Sequence, residues 1–454
     1  MSNLQQLIRL AFLRKGTMTA RELAEDAGVS QPTISRALTR MGGSVVRIGR
    51  GSSTRYGLEA QVADLGSRWP LYVIGSGGAP EQAGVLQALV GGGFHLERST
   101  EEHWTTLVGA QFPKGMFPGL PWFLDDVRPQ GFLGRAFARR HASPLGQGLD
   151  PALWSQVGVL ESLIRYGSDL PGAFVIGHHA LTEALAMSSR PAVKDEERAV
   201  VYPLRAEEAL QGNIAGSSAG GEQPKFTATL SSGGSIRSVV VKFSPELHRE
   251  EGRRWADLLA GEKIAADILR ENGMDVPQVE LIDAENRRFL EVARFDRSRE
   301  GGRIAAVSLR SFAAAFLDEI NAPWSVAGDA MHREGWLAKV DAEKLSSLWK
   351  FGQLIGNTDM HYGNASFLLS QAKPLTLAPV YDMLPMAYRP VEQSGVPGIS
   401  EALLGLIGAA TQGPESLWAR AFWARLHESE LVSEEFRQLA ARHVAAFPNH
   451  TSVI

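Results

Sequence analysis

At 454 residues the chain exceeds one compact domain and predicts two or three. A hydrophobic content of 44% and a charged content of 21% fit a globular protein, and no apolar run reaches the roughly 18 residues of a membrane-spanning helix. The absence of cysteine excludes disulfides, zinc–thiolate sites and thiol nucleophiles and suits a cytoplasmic location. The net charge of −4 is uneven: residues 1–58 hold nine Lys/Arg against three carboxylates, so a head of +6 joins a body of −10.

The opening "MSNLQQLIRLAFLRKG" breaks its apolar residues with Arg9, Arg14 and Lys15, which argues against a secretory signal. Instead it reads as a first helix, with Leu4, Leu7, Ile8, Ala11 and Phe12 at helical spacing. "TARELAEDAG" comes next as a second helix, with Thr19 and Glu22 in capping-box positions and a stop at Gly28. "SQPTISRALTRM" is the third, with Ser30 as N-cap. Ile34, Leu38 and Met41 form its apolar stripe, leaving Thr33, Arg36 and Arg40 outside. "VVRIGRGSSTRYGL" then reads as two short strands around a glycine-rich tip. The head resembles a bacterial winged helix-turn-helix, predicted to bind double-stranded DNA through Gln31, Thr33, Arg36 and Arg40 on the recognition helix and Arg47, Arg50 and Arg55 on the wing. The competing reading is a protein-binding three-helix module with a solvated basic face.

From Glu59 the pattern changes. "PLYVIGSGG" and "GAFVIGHHAL" read as strand-to-turn units, and "SSRPAVKDEER" (188–198) as an exposed linker. Asp125 and Asp126 are adjacent and so point apart, which favours capping or salt bridges over a catalytic pair. His178 and His179 lack metal-ligand spacing.

"GNIAGSSAGGEQPKFTATL" places Ser217, Ser218, Ala219, Gly220 and Gly221 just before a strand. Such a loop lets backbone N–H groups and hydroxyls approach phosphate, although it does not match GxxxxGK[ST]. In "IRSVVVKFSP", Lys242 interrupts a β-branched run and needs an anionic partner, which Glu262 on the helix "WADLLAGEKIAADILRENG" can supply. "RRFLEVARFDR" reads as a strand that breaks into a hinge, and "LSSLWKFGQLIG" as an apolar helix ending at Gly356. "NTDMHYGN" and "YDMLP" complete the series, carrying Asp359, Asn364 and Asp382. Phosphoryl transfer needs a carboxylate to take or orient the proton of the attacking hydroxyl, which suits Asp359. It also needs oxygen ligands for Mg2+, which suits Asn364 and Asp382.

These stretches resemble the HipA family of bacterial Ser/Thr kinase toxins over roughly residues 200–390. With the head they resemble most its YjjJ (HipH) branch. "NTDMHYGN" departs from eukaryotic kinases: Asn357 stands where they carry His, and His361 where they carry Lys. The resemblance implies an α+β, bilobal protein-kinase-like (HipA-like) fold with an N-terminal winged helix-turn-helix. The expected domains are 1–58, a kinase N-terminal subdomain 59–297 (a family-specific part 59–205, then 206–297), and a helical subdomain 298–454. It implies Asp359 as catalytic base, Lys242 on the ATP phosphates beside Glu262, and Asn364 and Asp382 on Mg2+. Ala293 and Phe295 are expected at the adenine and His361 within the cofactor site. Inhibitory autophosphorylation is implied at Ser217 or Ser218, because one extra loop residue lets either serine match the family pattern. A protein substrate, with the translation machinery as a candidate source, and a homodimer are among the expected partners; a membrane is not.

Three other readings compete. Small-molecule phosphotransferases share D-x-x-x-x-N, but the H-x-D usual among them is absent here, where Asn357 occupies the His position. A nucleotide-sensing regulator would not need Lys242, Asp359, Asn364 and Asp382 together. A metal-dependent nuclease using Asp359, His361 and Asp382 leaves the lysine, glutamate and glycine loop unexplained.

Overall fold

The computed structural model describes residues 2–100, 104–187, 192–211, 223–232, 235–391, 395–410 and 413–448. The expected loop residues Ser217, Ser218, Ala219, Gly220 and Gly221 lie outside the described residues.

Three helices form the head: Asn3–Lys15, Ala20–Ala27 and Gln31–Met41. The second starts with the expected capping box, Thr19 accepting from the Glu22 amide while Glu22 accepts from the Thr19 amide, and it ends at Gly28 in the left-handed conformation (φ 64°). The third departs from expectation at its start. Ser30 makes no side-chain cap, and its hydroxyl pairs with the Thr33 hydroxyl at 2.9 Å instead. Strands Met18–Thr19, Arg55–Leu58 and Val45–Ile48 complete the unit in that spatial order, and Ile8, Phe12, Leu23, Ile34 and Leu38 fill its core.

The head is docked firmly on the middle segment of the chain. The Val90 amide donates to the Leu58 carbonyl at 2.8 Å, and Val46 and Ile48 bury against Leu89 and Met116. Lys114 donates to the Ser53 carbonyl and, at 2.9 Å, to its hydroxyl. Residues 68–176 contribute an antiparallel five-stranded sheet, ordered Met116–Phe117, Phe94–Arg98, Pro80–Ala88, Arg68–Ile74 and Phe174–Ile176. Its apolar face shares one core with the C-terminal helices. Trp122, for example, meets Phe316 edge-on at 5.0 Å, and Trp69, Phe174, Phe351 and Trp423 belong to the same cluster.

A second five-stranded sheet runs Val279–Ala284, Arg287–Ala293, Ser235–Phe243, Lys225–Ser232 and Val193–Lys194, the last pair parallel. Val193 lies within the stretch read as an exposed linker. It is instead buried, because it closes the edge of this sheet over Tyr202 and Leu230. Arg198, from the same stretch, reaches Glu280 at 2.9 Å and Glu291 at 3.1 Å. It helps neutralise Glu291, which is buried and also bonded to Tyr202 and Arg237. Helix Glu250–Glu271 backs the sheet. Helices Leu309–Phe316, Trp324–Arg333, Lys339–Leu354, Pro414–Glu428 and Glu434–Ala446 surround a small sheet of Ala306–Ser308, Ser366–Leu368 and Thr376–Leu377. Among the described residues no helix is long and apolar enough to cross a membrane.

Candidate active site

Strand Ser235–Phe243 alternates Val239, Val241 and Phe243 into the sheet core, which turns Val240 and Lys242 to the opposite face. There Lys242, 5% exposed, is gripped by Glu262 at 2.5 and 2.6 Å from the long helix, and it also donates to Asp382. Burial opposes the charge on Lys242, but Asp382 and Glu262 more than reverse this and hold the ammonium above its usual range. Burial raises the Glu262 carboxyl, Lys242 pulls it back, and the negative Asp382 adds to the rise. Burial would likewise raise Asp382, yet Lys242 and Lys225 outweigh it and hold that carboxyl low. One ammonium thus serves two carboxylates, of which Asp382 is the more open.

Asp382 sits at φ 55°, a left-handed conformation uncommon for a non-glycine residue. Asn357 holds it there, its amide donating to the Asp382 carbonyl at 3.1 Å while its Oδ1 accepts from the Asp359 amide at 3.0 Å. The same side chain therefore ties the Asp359 loop to the Asp382 turn. Asn364 donates from Nδ2 to the Asp359 carbonyl at 2.7 Å, and its amide oxygen has no hydrogen-bond donor among the described residues. Asp359 remains half-open, its Oδ1 4.0 Å from His361 Nε2. The Asn364 amide oxygen and the Asp382 carboxylate are hard oxygen donors of the kind Mg2+ takes, and two protein ligands suffice for an ion that keeps waters and phosphate oxygens.

A cavity of about 360 Å3 opens beneath the sheet, lined by Lys242, Asp382, Val240, Ala293 and Phe295. It contains the expected phosphate-end and adenine-end residues together. Asp359 and His361 do not line that cavity; they line a separate hollow with Trp349, Gln353 and Asn357, whose side chain bonds to both the Asp359 loop and the Asp382 turn. Glu262 sits behind Lys242 and not in the cleft wall.

Several contributors escaped the sequence reading. Lys225 pairs in register with Lys242 on the neighbouring strand and lines the same cavity, a role that nothing in "QPK" itself marks. Tyr381 stacks on Phe295 (5.7 Å between ring centres, 23° between planes) and donates to the Gly363 carbonyl at 2.9 Å; its only signal was adjacency to Asp382. Asp126, half-buried at the cleft margin, accepts from the Ser308 amide and hydroxyl, each at 2.6 Å, and so supports the start of helix Leu309–Phe316. Asp125 pairs with Arg128 at 2.6 Å. Both aspartates thus have the structural roles expected of them.

In the head, Gln31, Arg36, Arg40, Arg47 and Arg50 are exposed and Thr33 is half-exposed. Arg55 differs. It folds back onto the head itself, with Nε 3.2 Å from the Thr17 hydroxyl, Nη2 donating to the Thr17 carbonyl, and the same Nη2 3.6 Å from Glu22.

Residues 65–185 match the family described as YjjJ-like toxin, middle domain, and residues 217–450 match the HipA-like C-terminal domain. Toxin YjjJ of Escherichia coli K12 is 33% identical over 436 residues, spanning 94% of each chain. Among solved structures, HipA of the Shewanella oneidensis toxin–antitoxin system, determined with HipB and operator DNA, covers 83% of this chain and 96% of its own, at 16% identity and a TM-score of 0.48. The Helicobacter pylori proinflammatory kinase CtkA covers 49% of this chain and 90% of its own, at 15% identity and a TM-score of 0.32.

Proposed function

Because this chain belongs to the HipA family, in its YjjJ-like toxin branch, we propose that it is an ATP-dependent Ser/Thr protein kinase whose head binds double-stranded DNA. The observation that carries the kinase reading is Lys242 held between Glu262 and Asp382 at one end of a cleft, with Asn357 tying that end to Asp359.

In this reading the chain's own residues divide the work. Lys242, preorganised by Glu262, and Lys225 beside it attract the nucleotide phosphates. Ala293 and Phe295, the latter steadied by Tyr381, form the base-binding wall. Asp359 accepts the proton of a substrate hydroxyl presented in the adjoining hollow. Asp382 and the Asn364 amide oxygen would hold Mg2+, which supplies charge neutralisation on the transferring phosphoryl group. Ser217 or Ser218 would supply an inhibitory phosphorylation site: a phosphate there adds nearly two negative charges to a loop proposed to cradle phosphate.

The DNA reading rests on the exposed basic series Arg36, Arg40, Arg47 and Arg50 with Gln31 and Thr33. Arg55 serves the head internally. A DNA-binding head on a kinase suits regulation of the chain's own operon.

Incubating purified full-length protein with γ-labelled ATP and Mg2+, alone and with candidate protein acceptors, tests the proposal. Label on serine or threonine supports it, and mapping to 212–222 would identify the regulatory serine. Label transferred only to a small alcohol or aminoglycoside would replace it with the small-molecule phosphotransferase. Nucleotide binding without transfer would leave a sensor.

A further inference from the structure

A second cavity, of about 480 Å3, lies farther along the sheet face from Lys242, where three parts of the chain meet. The middle segment contributes Asp169 and the Gly77–Gly78 turn. The lysine hairpin contributes the hydroxyls of Thr229 and Ser238. The connection after strand Arg287–Ala293 contributes Arg294, Arg297 and Arg303.

Positive charge is in excess here. Arg294 and Arg297 share the same two carboxylates: Arg294 meets Asp296 at 2.8 Å and Asp169 at 3.2 Å, and Arg297 meets them at 2.8 and 3.0 Å. Two acids thereby answer two guanidinium groups. Arg303 is a third, only 6% exposed. It donates to the Ser168 carbonyl, and its Nη1 has no partner among the described residues. Burial, reinforced by the neighbouring Arg297, pulls this guanidinium down to about 9 although Asp169 and Asp296 pull the other way. Arg205, half-buried on helix Arg198–Gln211, also lines the cavity, with no ion pair or hydrogen bond among the described residues. Glu300 is the remaining acid of the lining, so four arginines face three carboxylates once Asp296 is counted. A buried cation without a counter-ion is costly, and a polar cavity with hydroxyl donors beside it is where a ligand would relieve that cost.

We propose that this cavity binds a small phosphate-bearing molecule, distinct from the nucleotide whose phosphates meet Lys242, and that the ligand clamps the middle segment, the hairpin and the connection together as an effector. Guanidinium forks and hydroxyl donors suit phosphate oxygens, and the excess of one positive charge disfavours neutral or cationic ligands. The two cavities share Asp169, Thr227 and Arg294 along their common border. Arg205, Arg297 and Arg303 line this one and not the cavity at Lys242, so the proposal stands on residues to which the phosphotransfer reading gives no role.

The test titrates inorganic phosphate and pyrophosphate into full-length, phosphatase-treated protein with the nucleotide cleft filled by saturating AMP-PNP, read by calorimetry and thermal shift. Saturable binding with a rise in Tm is expected. Arg205→Gln should weaken it by about tenfold while leaving AMP-PNP affinity unchanged, the loss expected for one charge-assisted contact. Arg303→Gln should weaken it at least as much. Should that variant fail to fold, Thr229→Met, which fills the cavity wall, carries the same expectation. Absence of saturable binding overturns the proposal, as does binding insensitive to both Arg205→Gln and Thr229→Met. Loss of binding after preincubating wild-type protein with ATP and Mg2+ would assign the pocket to a phosphorylated residue of the chain and overturn the small-molecule ligand.

Discussion

Replacing Lys242 by Met should destabilise the protein in a way that acid relieves. The substitution leaves Glu262, 4% exposed, facing Asp382 with no cation between them. Breaking a buried pair from one side costs about 3–5 kcal/mol. Protonation sets a ceiling, since Glu262 can escape the penalty by taking a proton. From an unfolded pKa near 4.3, staying neutral at pH 7 costs about 3.7 kcal/mol, at about 1.4 kcal/mol per pH unit. At pH 5.5 the same ceiling is about 1.6 kcal/mol. Linkage gives the sign. A carboxyl raised in the folded state binds more protons there than in the unfolded chain, so stability falls as pH rises. The deficit of Lys242→Met against wild type should therefore shrink by about 2 kcal/mol between pH 7 and 5.5. In the wild type Asp382 is held low, so its contribution persists above the unfolded value near 3.9 and is lost only in stronger acid. Urea unfolding followed by tryptophan fluorescence at several pH values measures the difference. Lys242→Met/Glu262→Met should recover most of the loss. A deficit below about 1 kcal/mol, or one independent of pH, would refute the claim that Lys242 compensates the buried Glu262 and the half-buried Asp382.

Asp359→Asn should lower phosphoryl transfer by on the order of 10²-fold or more while Tm stays unchanged, because the carboxylate is half-exposed and its backbone, not its side chain, carries the loop bonds. Unaltered turnover would remove Asp359 from the mechanism. Arg50→Ala in the full-length protein should weaken binding to all duplexes and reduce its salt dependence, and Arg36→Ala should relax sequence preference. Arg55→Ala should lower the stability of the head and affect DNA only through it, as its bonds to Thr17 require; electrophoretic shifts and thermal melts separate the two. Asp126→Ala should cost about 2 kcal/mol in urea unfolding, since its two 2.6 Å bonds to Ser308 at the start of a helix are lost.

Much of the site was legible because each part had a local cause visible in residue order. Lys242 interrupts a β-branched run, so strand alternation alone places it opposite the sheet core, and Glu262 comes one helix later at the right depth. The Asp359 loop showed itself as polar residues between apolar flanks. Residues that act through chain-distant pairings were hidden. Lys225 matters because it lies in register with Lys242, and Tyr381 because its ring meets Phe295. Val193 and Arg198 read as solvent-facing because neither the open sheet edge nor the buried Glu291 is apparent from neighbouring residues. Arg55 misled for a related reason: its partner Thr17 is 38 positions away, on the far side of two helices.

The seating of the head on the middle sheet bears on how modular this chain is. Val46, Ile48 and Leu58 are buried partly by Leu89, Val90 and Met116, so cutting after residue 58 would strip an apolar strip from both pieces. The transplantable unit is therefore larger than the helices suggest, and a graft onto another enzyme would have to carry the strands around Leu89 and Met116 with it. The junction also lacks the slack of a tether. Whatever surface the three helices grip, the cleft around Lys242 would be held at a fixed bearing from it, like a tool bolted to its mount instead of hung from a cord.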